Sequence, residues 1–256
     1  MAQLDSAQIT LRRHGFGPPL VLLHCLGVDH RFWDFADDLE RDFTLISYDL
    51  PGHGSSPVPS GPYSIEDLSA QLSSLLAAHD IDRAHIAGIS LGGLVAQHFA
   101  ATRPQMVDRL ILIDTTPRYT EQLRAMWAER AATARNHGVK AMVDGLLPIW
   151  FTPDAIADET PAVRYVRAAL RNTSGEGYAL ACEALAGADL RNDAARITAT
   201  TLVICGEDDI PSFLDSARWL AANIKNARLE WIAKARHASV IERPAAALAL
   251  MRQFLK

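Results

Sequence analysis

Residues 88–92 read Gly-Ile-Ser-Leu-Gly. The apolar run 84–87 precedes it and the helix-like run 93–100 follows it, so Ser90 lies between a predicted strand and a predicted helix. A G-x-S-x-G sequence in this setting is typical of a nucleophile elbow, a sharp turn that raises the serine hydroxyl above a sheet. The same pattern also arises by chance as a glycine-rich turn with a surface serine. The rest of the chain has to decide between the two.

The composition is that of a globular protein. The chain has 256 residues, 49% of them hydrophobic and 21% charged, with a formal net charge of -5. This length suits one α/β domain with an insertion. No basic run indicates a nucleic-acid partner, and no apolar run is long enough to span a bilayer. We therefore expect neither a nucleic acid nor a membrane as a partner.

The cysteines and the N-terminus bear on the compartment. Cys25, Cys182 and Cys205 are scattered and form no C-x-x-C pair. An odd, scattered set argues against a disulfide framework and fits a reducing compartment. Residues 1–5 lack the basic start and apolar region of a signal peptide. The sequence predicts a cytoplasmic protein and leaves open whether it forms a homo-oligomer.

Short apolar runs recur along the chain at the spacing of an α/β protein. The alternating run 8–12 predicts part of an opening antiparallel pair. Six further strands are predicted at 20–24, 44–48, 84–88, 109–113, 201–205 and 228–232. Helical patterns fill the gaps, among them a stretch that begins with a capping box at Ser64 and two others at 212–223 and 244–255. Strands that alternate with helices predict a mostly parallel sheet covered on both faces.

The strand–helix alternation stops in the middle of the chain. Residues 117–195 are rich in Ala, Arg, Trp and Leu and predict several helices. Breaks between these helices are predicted near Gly138, Pro148, Pro153, Pro161 and residues 175–177. We therefore predict a core of residues 1–116 and 196–256, with residues 117–195 inserted as a helical cap, or lid.

A serine nucleophile needs a base, and the base needs an acid that orients it. His237 lies in the loop after the last predicted strand, and it is the only one of the nine histidines in that loop. The candidate acids follow the two predicted strands before it: Asp114, Asp208 and Asp209. Because the carboxyl ends of parallel strands meet at one edge of a sheet, we expect these side chains near Ser90.

Two backbone N–H groups are expected to stabilise the oxyanion that forms during acyl transfer. The N–H of Leu91 lies at a predicted helix N-terminus, directly after the serine. The second donor should come from the loop after strand 20–24, where the sequence reads Cys25-Leu26-Gly27 and Leu26 is the candidate. The alternative for that loop is an ordinary turn made by its glycine.

Along its whole length the chain resembles the α/β-hydrolase superfamily, and within it the 3-oxoadipate enol-lactonases of aromatic degradation. The similar stretches are 26–33, 52–55, 61–65 and 88–93, and, within the predicted cap, 150–153, 176–178, 182–185 and 188–191. The elbow and triad specify only the superfamily, since one fold hosts many activities. The cap motifs are more informative because lids shape substrate pockets. The acid-loop pattern of the fold favours Asp209 over Asp208 and Asp114, because of its offset from Gly206.

The resemblance implies cofactor-free hydrolysis of an enol-lactone, with no metal. Ser90 would attack the lactone carbonyl with His237 as base, and water would then hydrolyse the acyl-enzyme. Arg118 matches an arginine of the family and is a candidate for holding a substrate carboxylate; the alternative is a solvated arginine at a cap hinge. Trp150 is a candidate for the pocket wall; the alternative is simple packing inside the cap.

Three functions stay open, each with a small-molecule partner. The first is a hydrolase of carboxylic esters or lactones, most specifically of an enol-lactone. The second is a perhydrolase or a cofactor-independent oxygenase on the same fold. The third is a non-catalytic receptor, since this fold also serves ligand sensing. The complete Ser-His-Asp set argues against a receptor, because a pure binder has no use for a base-activated serine.

Overall fold

A computed structural model describes Leu4, Ile9 and residues 11–256 of the chain. Within this part, seven strands form one sheet in the order β1-β3-β2-β4-β5-β6-β7. The strands are β1 Leu11–Gly15, β2 Pro19–Leu23, β3 Thr44–Tyr48, β4 Ala84–Ile89, β5 Val107–Ile113, β6 Thr200–Gly206 and β7 Ala227–Ile232. Only β1 pairs in the antiparallel sense, with β3; the other neighbours are parallel. The predicted mostly parallel sheet is confirmed.

The predicted strands agree with the observed ones to within about two residues, apart from the first. The opening strand was predicted at 8–12, but β1 begins at Leu11 and continues to Gly15. Residues 8 and 10 lie outside the described residues. The central strands β2, β4, β5 and β6 are buried along most of their length. Such burial requires cover on both faces of the sheet, which the helices supply.

Helices flank the sheet on both sides of the elbow. α1 (Ile65–Ala78) begins with the predicted capping box, in which Ser64 N donates to Asp67 Oδ2 at 2.9 Å and Asp67 N donates to Ser64 Oγ at 3.2 Å. This reciprocal pair satisfies N–H groups that the first helical turn leaves free. The remaining α-helices of the core regions are α2 Leu91–Thr102, α9 Pro211–Asn223, α10 Ser239–Glu242 and α11 Pro244–Leu255, and 3₁₀ helices span His30–Arg41 and Pro104–Met106. The predicted helices at 212–223 and 244–255 are confirmed.

Between β5 and β6 the chain forms helices, as predicted. They are α3 Glu121–His137, α4 Val143–Trp150, α5 Pro153–Ala157, α6 Pro161–Asn172, α7 Gly175–Gly187 and α8 Arg191–Ala194. The break predicted near Pro148 falls two residues later, because α4 continues through the proline and ends at Trp150. A proline inside a helix removes one hydrogen bond to the preceding turn and crowds the carbonyl four residues before it, and α4 ends within two residues of Pro148. The limits of the cap stay a prediction.

One continuous hydrophobic core joins the sheet to the helices of residues 117–195. Cys25, Cys182 and Cys205 are buried in it as free thiols, as expected for small core residues. Among the described helices, each is too short or too polar to cross a membrane.

Candidate active site

Ser90 lies on a strained turn between the end of β4 and the start of α2. Its backbone has φ 50° and ψ -112°, a positive φ that non-glycine residues rarely adopt. Neighbouring groups hold this conformation. Ser90 N donates to Ile113 O at 3.0 Å, and Thr115 Oγ1 donates to Ser90 O at 2.8 Å. The end of β5 therefore fixes the turn that carries the serine hydroxyl.

The two glycines of the elbow are needed for close backbone contacts. A Cβ atom on Gly88 would lie 2.2 Å from the carbonyl oxygen of Gly92. A Cβ atom on Gly92 would lie 2.3 Å from the carbonyl oxygen of Leu23, at the end of β2. Neither position tolerates a side chain without a backbone shift. The G-x-S-x-G spacing therefore follows from how tightly α2 packs against the sheet.

The structure brings Ser90, His237 and Asp209 together in a hydrogen-bonded chain. His237 Nε2 lies 3.0 Å from Ser90 Oγ, and His237 Nδ1 lies 2.9 Å from Asp209 Oδ2. All three residues are buried, with exposed fractions of 6%, 7% and 4% respectively. Because an ionised carboxylate only accepts, Nδ1 carries the proton and Nε2 can accept the serine proton. A serine, a histidine and an aspartate bonded in this order can serve as nucleophile, base and orienting acid.

Burial and the nearby carboxylates act in opposite directions on the pKa of His237. Burial alone would lower the pKa of His237, but the negative charge and hydrogen bond of Asp209, with a contribution from Asp114, raise it above its ordinary value. The second oxygen of Asp209 accepts the N–H of Ile210 at 2.7 Å, which holds the carboxylate in place. The alternative acid Asp208 is exposed. A buried base whose protonated form is stabilised suits transient proton storage.

Asp114, the third candidate acid, points elsewhere. Its Oδ1 accepts the N–H of Gly206 at 2.9 Å, and its Oδ2 accepts the hydroxyl of Ser239 at 2.6 Å. Burial, reinforced by the charge of nearby Asp209, raises the pKa of Asp114 well above that of an ordinary carboxyl. Asp114 therefore joins the end of β6 to the start of α10 and does not hold the imidazole of His237.

The two candidate oxyanion donors lie at adjoining ends of α2 and β2. Leu91 is the first residue of α2, and Leu26 lies in the loop that follows β2. Gly92 packs directly on the carbonyls of Leu23 and His24, which brings the helix N-terminus against that loop. Within residues 11–256, neither leucine N–H donates to a backbone carbonyl. Free N–H groups at a helix N-terminus favour negative charge.

Two aromatic rings flank the imidazole. The centroid of the Trp150 ring lies 6.3 Å from that of His237, in an edge-to-face arrangement, and the centroid of the Phe213 ring lies 4.3 Å away. Trp150, a predicted site residue, is thus placed beside the base. Phe213 was not predicted. Its only sequence signal is an aromatic side chain four residues after Asp209, in the first turn of α9.

Arg118 is not brought into contact with the Ser-His-Asp cluster. It is exposed and lines an open cavity of about 470 Å³, together with Tyr119, Leu123, Arg191, Ser212, Phe213 and Trp219. The lining of this cavity includes neither Ser90 nor His237. Phe213 forms a wall that the cavity shares with His237. The structure therefore places Arg118 in a compartment next to the site.

Two groups of side chains in the described residues have metal-ligand chemistry, namely Asp29 with His30 and Asp49, and Asp114 with Cys205 and Asp209. Their carboxylates are already engaged by protein donors. Asp29 accepts hydrogen bonds from the guanidinium of Arg31 and the hydroxyl of Tyr165. Asp49 is hydrogen-bonded to the imidazole of His30 and accepts the N–H of Ser55. We assign neither group to a metal.

The fold and this cluster define an α/β hydrolase. A family model described as the alpha/beta hydrolase fold matches residues 18–244, so the chain belongs to that family.

Two curated proteins and one solved structure illustrate the similarity. The chain is 33% identical to 3-oxoadipate enol-lactonase 2 of Acinetobacter baylyi, over 95% of this chain and 92% of that one. It is 33% identical to a pimeloyl-(acyl-carrier protein) methyl ester esterase of Chromobacterium violaceum, over 88% of this chain and 89% of the other. The crystal structure of the enol-lactonase from Burkholderia xenovorans LB400 superposes with a TM-score of 0.92 at 35% identity, covering 96% of each chain.

Proposed function

We propose that this hydrolase cleaves carboxylic esters or lactones through an acyl-enzyme on Ser90. The observation that carries the proposal is the continuous chain from Ser90 Oγ to His237 Nε2 at 3.0 Å and from His237 Nδ1 to Asp209 Oδ2 at 2.9 Å. The strained elbow presents the hydroxyl to a bound carbonyl, and the histidine lies within proton-transfer distance of it.

In the acylation step Ser90 is the nucleophile and His237 acts first as base and then as acid. His237 Nε2 takes the proton of Ser90 Oγ as the oxygen bonds to the carbonyl carbon, and the carbonyl oxygen becomes an oxyanion. The N–H groups of Leu26 and Leu91 stabilise that charge. The carbon–oxygen bond to the leaving group then breaks, and His237 returns its proton to the departing oxygen. Asp209 stabilises the imidazolium throughout.

Deacylation runs the same steps with water. His237 removes a proton from a water molecule, the hydroxide bonds to the acyl carbon, and Ser90 Oγ leaves with the proton that His237 then returns. The products are a carboxylic acid and the free enzyme. In a lactone the departing oxygen stays attached to the acyl group, so one ring-opened product leaves after the second step.

For the substrate we propose an enol-lactone of the 3-oxoadipate enol-lactone type. The named activities of the Acinetobacter and Burkholderia relatives support this choice. The resemblance carried by residues 150–153, 176–178, 182–185 and 188–191 points the same way. Trp150 would form the wall of the substrate site beside His237. Arg118 would bind the carboxylate of a substrate that extends past the ring of Phe213 into the neighbouring cavity, where the arginine side chain is exposed.

A panel of lactones and short esters tests the proposal. Purified protein is assayed with 3-oxoadipate enol-lactone, a neutral lactone and p-nitrophenyl acetate, each alongside the Ser90→Ala variant. We expect turnover that Ser90→Ala abolishes, with the enol-lactone giving the highest kcat/KM. Turnover of esters only would correct the substrate and keep the reaction class. Turnover that survives Ser90→Ala would contradict the mechanism.

A further inference from the structure

A buried carboxylate links the loop of His237 to the end of helix α4. Glu242, the last residue of α10, is only 9% exposed. Its Oε2 accepts the N–H of Arg236 at 2.9 Å. Its Oε1 accepts the N–H of Thr152 at 2.9 Å and the hydroxyl of the same threonine. One carboxylate therefore joins Thr152 to Arg236, two residues that lie far apart in the sequence.

Two further hydrogen bonds run parallel to this link. The N–H of Ala238 donates to the carbonyl of Trp150 at 2.9 Å. The guanidinium of Arg236 donates to the carbonyl of Pro148. The residues immediately before and after His237 are thus both tied to residues 148–152. The histidine backbone has little freedom to move independently of that segment.

We propose that Glu242 is a positioning residue, which sets the place of the His237 imidazole between Ser90 and Asp209. The inference rests on the proposed function, since it concerns the same base. A buried carboxylate that loses one of its donors is left unsatisfied, so its three hydrogen bonds hold both segments firmly. The three donors are two backbone N–H groups and one hydroxyl, so none of the three bonds to Glu242 comes from a charged side chain.

The link also runs in the other direction, to the wall of the site. Trp150 packs edge-to-face against His237 and lies two residues before Thr152. A displacement of residues 150–152 therefore acts on the imidazole twice, through the indole ring and through Glu242. A placement error of about 1 Å in a catalytic group costs about a hundredfold in rate. Glu242 is the group that keeps this error small.

The first test is Glu242→Gln, which keeps the size and removes one of the two accepting oxygens. The amide NH₂ must then face either Arg236 N–H or the donors of Thr152, so one link breaks. We expect kcat for p-nitrophenyl acetate to fall about tenfold to a hundredfold, with KM nearly unchanged. The matched control is Glu159→Gln, which removes an exposed ion pair with Arg167 in the same helical region. The control should keep its activity.

A merely structural role would lower activity without altering the base. We therefore also measure the pH profile of kcat/KM. A loosened contact with Asp209 lowers the pKa of His237 toward its ordinary value, so the acid limb should move to lower pH in Glu242→Gln. An acid limb at the wild-type position, in a folded variant with reduced kcat, would overturn the positioning role.

Proton NMR supplies a readout that needs no turnover. The Nδ1 proton between His237 and Asp209 should give a downfield resonance, identified by its loss in His237→Ala. We expect it to shift or broaden in Glu242→Gln and to stay in place in Glu159→Gln. If the wild type shows no Ser90-dependent turnover but the resonance still depends on Glu242, the proposed function fails and the positioning role stands. If the Nδ1 proton resonance is unaffected by Glu242→Gln, Glu242 does not position His237.

Thr152→Val keeps the inference testable if Glu242→Gln does not fold. Valine retains the size of threonine and its backbone N–H but removes the hydroxyl that donates to Glu242. We expect a smaller effect of the same kind, with a reduced kcat and an acid limb displaced to lower pH. Wild-type values of both in Thr152→Val would contradict the link.

Discussion

The ring of Phe213 lies against the imidazole of His237, with 4.3 Å between the centroids and 52° between the planes. Phe213 also lines the cavity that Arg118 and Trp219 border. One aromatic ring therefore lies between the base and a compartment of about 470 Å³. A volume of this size falls in the range of small-molecule sites. The identity of residue 213 should consequently control which substrates fit.

Replacing Phe213 with alanine should widen the passage between the cavity and the space around His237. We expect kcat/KM for p-nitrophenyl hexanoate to rise relative to that for the acetate ester. The loss of a large buried ring should also lower the free energy of unfolding by about 3–5 kcal/mol. Phe213→Leu is the control, because it fills most of the same volume. An unchanged hexanoate-to-acetate ratio in the alanine variant would show that the ring does not restrict passage between the two spaces.

The three candidate acids should separate clearly on mutation. Asp209→Asn reverses the hydrogen bond to His237 Nδ1 and should lower kcat by about 10⁴-fold, as in other triads where the wrong tautomer is held. Asp208→Asn should be close to wild type, since that carboxylate is exposed. Asp114→Asn should lie between the two. Steady-state kinetics on p-nitrophenyl acetate rank them, and a larger loss in Asp114→Asn than in Asp209→Asn would reassign the acid.

The pH profile of kcat/KM should report the raised pKa of His237. Hydrolysis needs the neutral imidazole, so activity should fall as pH drops through a value above the ordinary 6.5. Asp114 contributes to this raised pKa, so Asp114→Asn should move the acid limb to lower pH. Asp208→Asn serves as the control and should leave the limb in place. A limb that moves upward in Asp114→Asn would mean that the electrostatic reasoning is wrong.

Arg118→Ala should distinguish charged from neutral substrates. Pairing of a carboxylate with arginine contributes about 1.5–3 kcal/mol, so kcat/KM for a carboxylated ester should fall roughly tenfold to a hundredfold. Hydrolysis of p-nitrophenyl acetate should barely change. Arg191→Ala is the control within the same cavity, because that guanidinium is already paired with Asp189. Equal losses on both substrates in Arg118→Ala would mean that the arginine supports the helices and not the ligand.

Much of this architecture could be predicted because its signals are local. Buried strands appear as short apolar runs, and the elbow and the loop of His237 follow strands directly, so their place at the sheet edge comes from topology. The break near Pro148 falls two residues later than predicted, because the position of a proline in the helix, and not its residue type alone, decides where the helix ends.

The missed features are tertiary contacts. Phe213 contacts His237 and Glu242 contacts Thr152, and in both pairs the two residues belong to separate elements of the chain. No periodicity records which side chains meet between separate elements. The residues alone left Asp208 and Asp209 both open, and only the resemblance favoured Asp209, because the path of the loop decides which carboxylate is buried and which is exposed.

Covalent labelling shows directly whether Ser90 is the nucleophile. The wild type and Ser90→Ala are treated with a fluorophosphonate probe, and intact-mass and peptide mass spectrometry locate the adduct, with circular dichroism as a check that both are folded. The structure, with Ser90 Oγ 3.0 Å from His237 Nε2, predicts one adduct on Ser90 and none on the variant. An adduct on another residue, or a folded wild type that stays unlabelled, would contradict it.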